Sequence, residues 1–279
     1  MRRGSVAREM TARSQRILVT GCASGIGRDL AEVLLSAGHR VLATDRTLPP
    51  LEQAARAWPA SPERLQLRAL DVTDPLAWEA AVAAARQRFG GLDVLVNVAG
   101  VLVPGWAHEL RDEAVDLQLD VNVKGVVHGV RAVVPEMIAQ GRGHIVNVAS
   151  LAALAPVPGL AVYCASKHAV RGFSLSMALE LRAHGIAVTV VCPDAVQTPM
   201  LDVQRDVEAA AMTFSGPRVL TVREVSEAIV RALDERPLEL LLPPSRGWLA
   251  KLAELAPQSG RVLEPLLRWQ GRRRQQRGG

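Results

Sequence analysis

The sequence predicts a single-domain α/β protein: a doubly wound parallel sheet of about seven strands with a short C-terminal helical extension. Three observations carry that prediction. Short β-branched runs alternate with longer amphipathic stretches from residue 16 to residue 242, the pattern of buried parallel strands joined by covering helices. The chain has 279 residues, 49% of them hydrophobic and 22% charged, enough for one large core and unlike a disordered or collagenous chain. No compositional break divides residues 16–242, so one domain accounts for them.

The strands are expected at 16–20 (RILVT), 40–44 (RVLAT), 65–70, 92–97, 143–149, 186–192 and 238–242. Between them, 26–37, 49–58, 75–89, 109–139, 162–184 and 221–235 read as helices. Parallel strands need crossovers of about a dozen residues, and right-handed crossovers wind the sheet on both faces. Residues 193–220 are too long for an ordinary connection and read as a lid. Residues 1–15 read as a basic, flexible arm, 16–245 as the domain, and 246–279 as an amphipathic extension. Within that extension, two short helices are expected on either side of Pro257–Gly260, with a disordered RRRQQRGG end.

The net charge of +5 lies at the ends. Residues 1–16 hold five arginines against one glutamate and 261–279 hold six against one, so the body between them is acidic. That distribution argues against a specific nucleic-acid partner, which needs a basic face. Three cysteines, Cys22, Cys164 and Cys192, imply no disulfide framework and fit a reducing, cytoplasmic setting. They are expected near the cofactor edge as small buried residues without a catalytic role, although alkylation of Cys22 is expected to block cofactor entry. The histidines show no metal-ligand spacing, so no metal is expected. No secretory signal is read, and the uncharged span 145–166 is broken by Pro156, Pro158 and Gly159, so it reads as strand plus loop rather than a membrane helix.

Chemistry begins after the first strand, where Thr20-Gly21-Cys22-Ala23-Ser24-Gly25-Ile26-Gly27 opens a helix. Glycines there let the backbone turn sharply and approach a diphosphate, whose charge the helix N-terminus receives, as in Rossmann-like dinucleotide sites. Asp45, closing the second strand, would accept hydrogen bonds from the adenosine ribose and repel a 2′-phosphate. Arg46 next to it could attract that phosphate. NAD is therefore the favoured cofactor, with NADP as the alternative.

A second constellation is Ser150, Tyr163 and Lys167. Tyr163 and Lys167 are four apart on a helix and share a face, where an ammonium would favour the phenolate and let the tyrosine exchange a proton near neutral pH. Tyr163 is the only tyrosine of the chain.

With the glycine motif upstream and Ser150 thirteen residues before Tyr163, the chain closely resembles the short-chain dehydrogenase/reductase family over essentially all of 16–242. Asn97-Val98-Ala99-Gly100 is similar to the family's N-N-A-G with Val98 as a departure, and Asp71-Val72 to its adenine-contacting D-V. Asn122 resembles the Asn of its catalytic tetrad. The resemblance implies Tyr163 as acid/base, Lys167 on the nicotinamide ribose, Ser150 orienting the substrate oxygen and Asn122 holding a relay water. It further implies cofactor contacts from Ala99 and Gly100, from Pro193 and Val196, and from Thr198 to the nicotinamide carboxamide. Where the family reads P-G, this chain has Pro193-Asp194, either filling a backbone position with φ > 0 or aiming a carboxylate at substrate or cofactor.

Met200, Leu201, Val203, Val207, Met212 and Phe214 make the lid apolar, which suggests a hydrophobic alcohol or carbonyl substrate, equally with packing of the lid onto the body. The alternative to an enzyme is a catalytically idle cofactor-binding scaffold of the same fold. The resemblance implies a homodimer or homotetramer paired through 109–139 and 162–184. The leucines, Trp248, Trp269 and arginines of 246–279 fit peripheral contact with a membrane as well as they fit a solvated tail.

Overall fold

The computed structural model describes residues 14–255 and 258–277. Seven strands, β1 (Arg16–Thr20), β2 (Arg40–Asp45), β3 (Leu65–Ala69), β4 (Val94–Asn97), β5 (Gly143–Val148), β6 (Ile186–Pro193) and β7 (Glu239–Leu242), form one sheet in the order β3-β2-β1-β4-β5-β6-β7. Every pairing is parallel. The winding reverses between β1 and β4, the switch point at which open α/β sheets take ligands beyond the carboxyl ends of their strands.

Alternation along the strands makes both faces. Ile17, Val19, Val41, Ala43, Val94 and Val96 pack on α1 (Gly25–Ser36), α2 (Leu48–Ala55) and α8 (Val222–Glu235). The intervening Leu18, Leu42, Leu95 and Ile145 pack on α3 (Pro75–Phe89), α5 (Gly125–Gln140) and α6 (Ala161–Leu181). A period of two in side-chain direction thus gives each strand one residue for each helical layer. The fully buried Trp78 of α3 donates its indole N–H to the Val72 carbonyl at 3.0 Å and lies against Gly129 of α5.

The long helix expected over 109–139 is two helices, α4 (Asp112–Leu119) and α5, joined by a π-type turn at Asp120–Lys124. The lid contains a short helix, α7 (Pro199–Asp202), and a 3-10 segment at Glu208–Ser215. The extension forms α9 (Pro244–Leu255) and α10 (Gln258–Arg277), so Gly260 belongs to a helix and residues 272–277 are not the disordered end expected from their composition. Eight residues is long for a 3-10 segment, whose hydrogen bonds are poor, and α10 braces it at both ends. Arg274 donates to the carbonyls of Ser215 and Gly216, and Gln275 to those of Gln204 and Val207. Gly271 fits against the Ala211 carbonyl where a Cβ would overlap it. Of the arm expected over 1–15, only Ser14 and Gln15 are described, and both bond to the turn before β2, at Gly38 and His39.

Arg16 knots three elements at the amino edge of the sheet. Its guanidinium meets both Asp93 carboxylate oxygens at 2.8 and 2.7 Å and reaches the Gly90 carbonyl and Gln140. Burial pushes the Asp93 carboxyl up, but the hydrogen bonds and charge of Arg16, with the charge of Arg142, outweigh it and hold the group below its ordinary value. Its stabilisation is therefore complete above the unfolded carboxylate value of about 4 and is lost as pH falls through the lower folded value. Asp93→Ala should cost about 2 kcal/mol in denaturant unfolding at neutral pH and flatten the acid limb of the stability profile. An unchanged acid limb would remove Asp93 from that account.

Candidate active site

The chain leaves β1 at Thr20 and turns through Gly21 at φ 74°, a left-handed conformation that costs glycine nothing. Gly27, in the first turn of α1, lies so close to the Gly21 carbonyl that any Cβ would overlap it. Ser24 caps α1 without a side-chain hydrogen bond, and the first turn carries no acidic residue. The positive end of α1 is thus left for an anion.

Asp45 is fixed beside this loop: Oδ2 accepts from the Ala23 N–H at 2.9 Å and Oδ1 from the Arg46 N–H at 2.8 Å. Asp71 accepts from the Thr73 hydroxyl at 2.7 Å and backbone N–H at 2.9 Å. Those two bonds, aided by the charge of Arg46, hold its carboxyl below the ordinary value. Thr20 Oγ1 accepts from both Val98 and Ala99 N–H at 3.0 Å, tying the 97–100 loop to the end of β1. Asn97 is buried with its amide donated to Asn147 at 2.9 Å, so any part it plays for a cofactor runs through the backbone of 97–100.

This cradle fits a dinucleotide. Gly21, Ser24, Gly25, Ile26 and Gly27 would hold its diphosphate, Asp45 the ribose, Asp71 and Val72 the adenine, and Gly100, Pro193, Val196 and Thr198 the nicotinamide end.

One strand end, one helix and the π-type turn bring the second constellation together. Ser150 follows β5; its Oγ accepts from the Ala152 N–H at 3.1 Å, donates to the Pro193 carbonyl at 3.4 Å and hydrogen-bonds the Tyr163 phenol. Tyr163 and Lys167 share the buried face of α6, with Lys167 Nζ 5.6 Å from the ring centroid and donating to the Val148 carbonyl at 3.0 Å. Asn122 sits in the π-type turn, a distortion common at functional sites. Its Oδ1 accepts from the Val101 N–H at 2.8 Å, and its Nδ2 donates to the Val101 carbonyl at 2.8 Å and to Ser166 Oγ at 3.0 Å. Ser166 passes its own proton to the Tyr163 carbonyl at 2.7 Å, linking the turn to α6. Sequence reasoning missed Ser166, although its place beside Lys167 on the same helix was a signal.

The electrostatics correct one expectation. Burial pushes the Tyr163 phenol up, only partly offset by the hydrogen bond with Ser150, so the protein alone holds it protonated rather than near neutrality. Burial also lowers Lys167 to about 8. A lysine that is itself desolvated is a weak source of positive charge for its neighbour.

Asp194 is also resolved. Its φ is not positive, so it does not stand in for a left-handed glycine. Its carboxylate is turned to Arg246 Nε, 2.5 Å away on α9, and its N–H donates to the Leu242 carbonyl at 2.7 Å. Burial pushes the Asp194 carboxyl up, against the pull of Arg246. Nothing in the sequence pointed to Arg246, whose partner lies in another element. The three cysteines are buried. Cys22 points into the core with its thiol 3.3 Å from the Val19 carbonyl, which overturns the expectation that its alkylation guards cofactor entry.

One cavity of 670 Å³ joins these parts. Ile26, Gly100, Thr198, Ser150, Tyr163 and Lys167 line one side, and Met200, Leu201 and Met212 of the lid line the other. Among the remaining lid residues, Val207 packs beside the Tyr163 cluster, Phe214 is buried and Val203 is exposed, so the lid packs onto the body as well as lining the cavity. Leu249, Ala250 and Ala253 of α9 and Leu263 and Leu267 of α10 complete the wall, a contribution that periodicity could not assign.

The sequence profile described as short chain dehydrogenase matches residues 15–209. The chain belongs to the short-chain dehydrogenase/reductase family. It is an oxidoreductase acting on CH–OH groups with a nicotinamide cofactor. Relatives include a 2-(R)-hydroxypropyl-CoM dehydrogenase of Xanthobacter autotrophicus, 40% identical over 191 residues, 67% of this chain and 76% of that one. A 3-alpha-(or 20-beta)-hydroxysteroid dehydrogenase of Mycobacterium bovis is 39% identical over 215 residues, 76% of this chain and 80% of that one. Among solved structures, a short chain dehydrogenase/reductase of Burkholderia phymatum in complex with NAD superposes with a TM-score of 0.78 at 27% identity, covering 90% of this chain and 95% of that one. ElxO with NADP bound gives 0.74 at 25% identity, covering 82% and 96%.

Because Tyr163 is the only tyrosine, ultraviolet titration of the cofactor-free protein reads this phenol alone. Phenolate absorbance should stay absent until well above the ordinary phenol value of about 10. A transition near neutral pH would show that Lys167 governs the phenol instead of burial.

Proposed function

We propose that the protein is an NAD-linked dehydrogenase/reductase that interconverts a hydrophobic alcohol and its ketone or aldehyde, with Tyr163 as the acid/base. The observation that carries this reading is the shared cavity, in which Tyr163 and Ser150 face an apolar wall built by the lid, α9 and α10. The hydroxysteroid in the name of one relative is the kind of substrate such a wall would accept.

A bound nicotinamide supplies the hydride acceptor or donor. Ser150 Oγ, held by the Ala152 N–H, directs its proton to the substrate oxygen. In reduction the Tyr163 phenol gives its proton to the carbonyl oxygen; in oxidation Tyr163 Oη, its own proton first released to the relay, takes the hydroxyl proton. Lys167 holds the nicotinamide ribose, and Asn122 positions the relay water through which the proton reaches solvent. Loss of the buried lysine's charge near pH 8 would feed that relay. Asp45, anchored by Ala23, supports NAD over NADP, and Arg46 acts on Asp71 instead of standing alone at the ribose.

The exposed Leu117 and Leu119 of α4 and Leu179 of α6 support pairing of two copies through these helices. No helix among the described residues is long and apolar enough to cross a membrane.

Fluorescence titration with NADH and NADPH should show a preference for NADH that collapses in Asp45→Ala; preference for NADPH in the wild type would overturn the NAD assignment. Tyr163→Phe should retain NADH binding while losing about 10²- to 10⁴-fold in kcat on apolar secondary alcohols. Retained turnover would return the tyrosine to a packing role, and cofactor binding by the wild type without turnover of any alcohol or carbonyl would favour the idle scaffold.

A further inference from the structure

The C-terminal hairpin has two apolar sides. Leu249 of α9 and Leu263 of α10 line the catalytic cavity, yet they are 65% and 47% exposed. The cavity wall is thus one side chain thick there, which makes this the place where the cavity can open to the outside, its mouth. Around this mouth, α9 presents Trp248, Leu252 and Leu255, and α10 presents Val262, Leu266 and Trp269. Both sets have the spacing i, i+4, i+7, so each helix carries one continuous outward stripe.

Charge identifies what covers these stripes. Residues 244–277 hold eight basic side chains against two acidic ones. Glu254 meets Arg171 at 3.6 Å, and Arg246, Lys251, Arg268 and Arg272 are matched by Asp194, Glu239, Glu264 and Glu208, so among the described side chains of the two helices Arg273 and Arg274 keep charge that no carboxylate meets. The Arg273 guanidinium stacks 4.0 Å over the Trp269 ring, placing a cation beside an aromatic residue at the rim of the patch. A symmetric contact with a second copy would set these cations against their own equivalents. Anionic headgroups would complement them, while tryptophan and leucine enter the boundary between headgroups and acyl chains.

We propose that the α9–α10 hairpin docks on an anionic lipid surface, so that the mouth at Leu249 and Leu263 opens into the bilayer and takes an apolar alcohol or ketone directly from it. The delivery step rests on the hydrophobic-substrate reading above; the docking step does not.

The test uses the full-length protein with vesicles of phosphatidylglycerol and phosphatidylcholine, and with phosphatidylcholine alone. Co-sedimentation with the anionic vesicles is expected at low salt, weakening as salt is raised, with a blue shift of tryptophan emission. Arg273→Gln should weaken binding about fivefold. The double variant Leu252→Asn, Leu266→Asn changes exposed positions outside the cavity, and should keep its circular dichroism and NADH affinity while losing vesicle binding. Absence of vesicle binding in the wild type, or undiminished binding in the double variant, overturns the proposal. So does self-association in sedimentation velocity that the same double variant abolishes, which would assign the face to a second copy. Vesicle binding without turnover of apolar alcohols would sink the substrate reading and leave docking intact; turnover without vesicle binding would do the reverse.

Discussion

The hydroxyl of Thr20 holds the two halves of the site in register. It sits at the switch point between β1 and β4, where no crossover helix fills the space beyond the strands. By accepting from Val98 and Ala99 at once, it satisfies two backbone donors that would otherwise be left unpaired at that edge, and it sets the distance between the glycine loop and the 97–100 loop. The Gly21 Cα could carry a Cβ only at 3.0 Å from the Ala99 backbone, so the approach is already at its limit. From Ala99 the chain continues to Gly100, against which Asn122 Oδ1 and Lys167 Nζ are packed. Cofactor cradle and catalytic helix are thereby positioned by one short contact chain.

Burial acts on the paired titratable groups of α6 in opposite senses, raising Tyr163 and lowering Lys167. Both shifts disfavour charge: the phenol keeps its proton, and the lysine, lowered to about 8, holds its charge at neutral pH by a narrow margin. Ser150 and the Val148 carbonyl are the polar groups aimed at this pair. Such a site is organised in geometry before it is organised in charge, and proton exchange by the phenol depends on what occupies the cradle beside it. The sequence spacing of Tyr163 and Lys167 fixed the geometry but not the charge, because desolvation is set by the lid, α9 and α10 together.

How much could be read in advance follows from how local each signal is. The strands and both covering layers followed from short β-branched runs alternating with amphipathic stretches, since each apolar residue in β1, β2 and β4 has a helix to meet. The glycine loop, Asp45 and Ser150 were legible as short motifs at strand ends, and Tyr163 and Lys167 as a pair one turn apart on a helix. The π-type turn at Asp120–Lys124 was not, as it costs one altered hydrogen bond inside an otherwise periodic stretch. Asp194 and Arg246 could not be paired from a sequence that separates them by the lid and two further elements. The basic end of the chain departs from its compositional reading for a related reason: Arg274 and Gln275, residue types that suggest disorder, donate to the lid carbonyls of Gln204, Val207, Ser215 and Gly216.

The attachment of the C-terminal hairpin explains why its leucines are free for another use. On α9, Arg246 is held by Asp194, and Lys251 by Glu239, which also receives Arg171 of α6. Burial raises the Glu239 carboxyl, and these two cations more than offset it. On α10, Arg274 and Gln275 bond to lid carbonyls, Arg272 meets Glu208 at 2.5 Å, and Arg268 stacks 4.9 Å over Trp106. Polar and charged contacts therefore dock both helices, whereas a helix docked for stability alone would turn its leucines inward. Here part of the apolar surface lines the cavity and the rest faces out around its mouth. That division is unfavourable for an isolated chain in water and becomes favourable when the outer face meets an apolar phase, which ties the architecture of the extension to the chemistry of the site it covers.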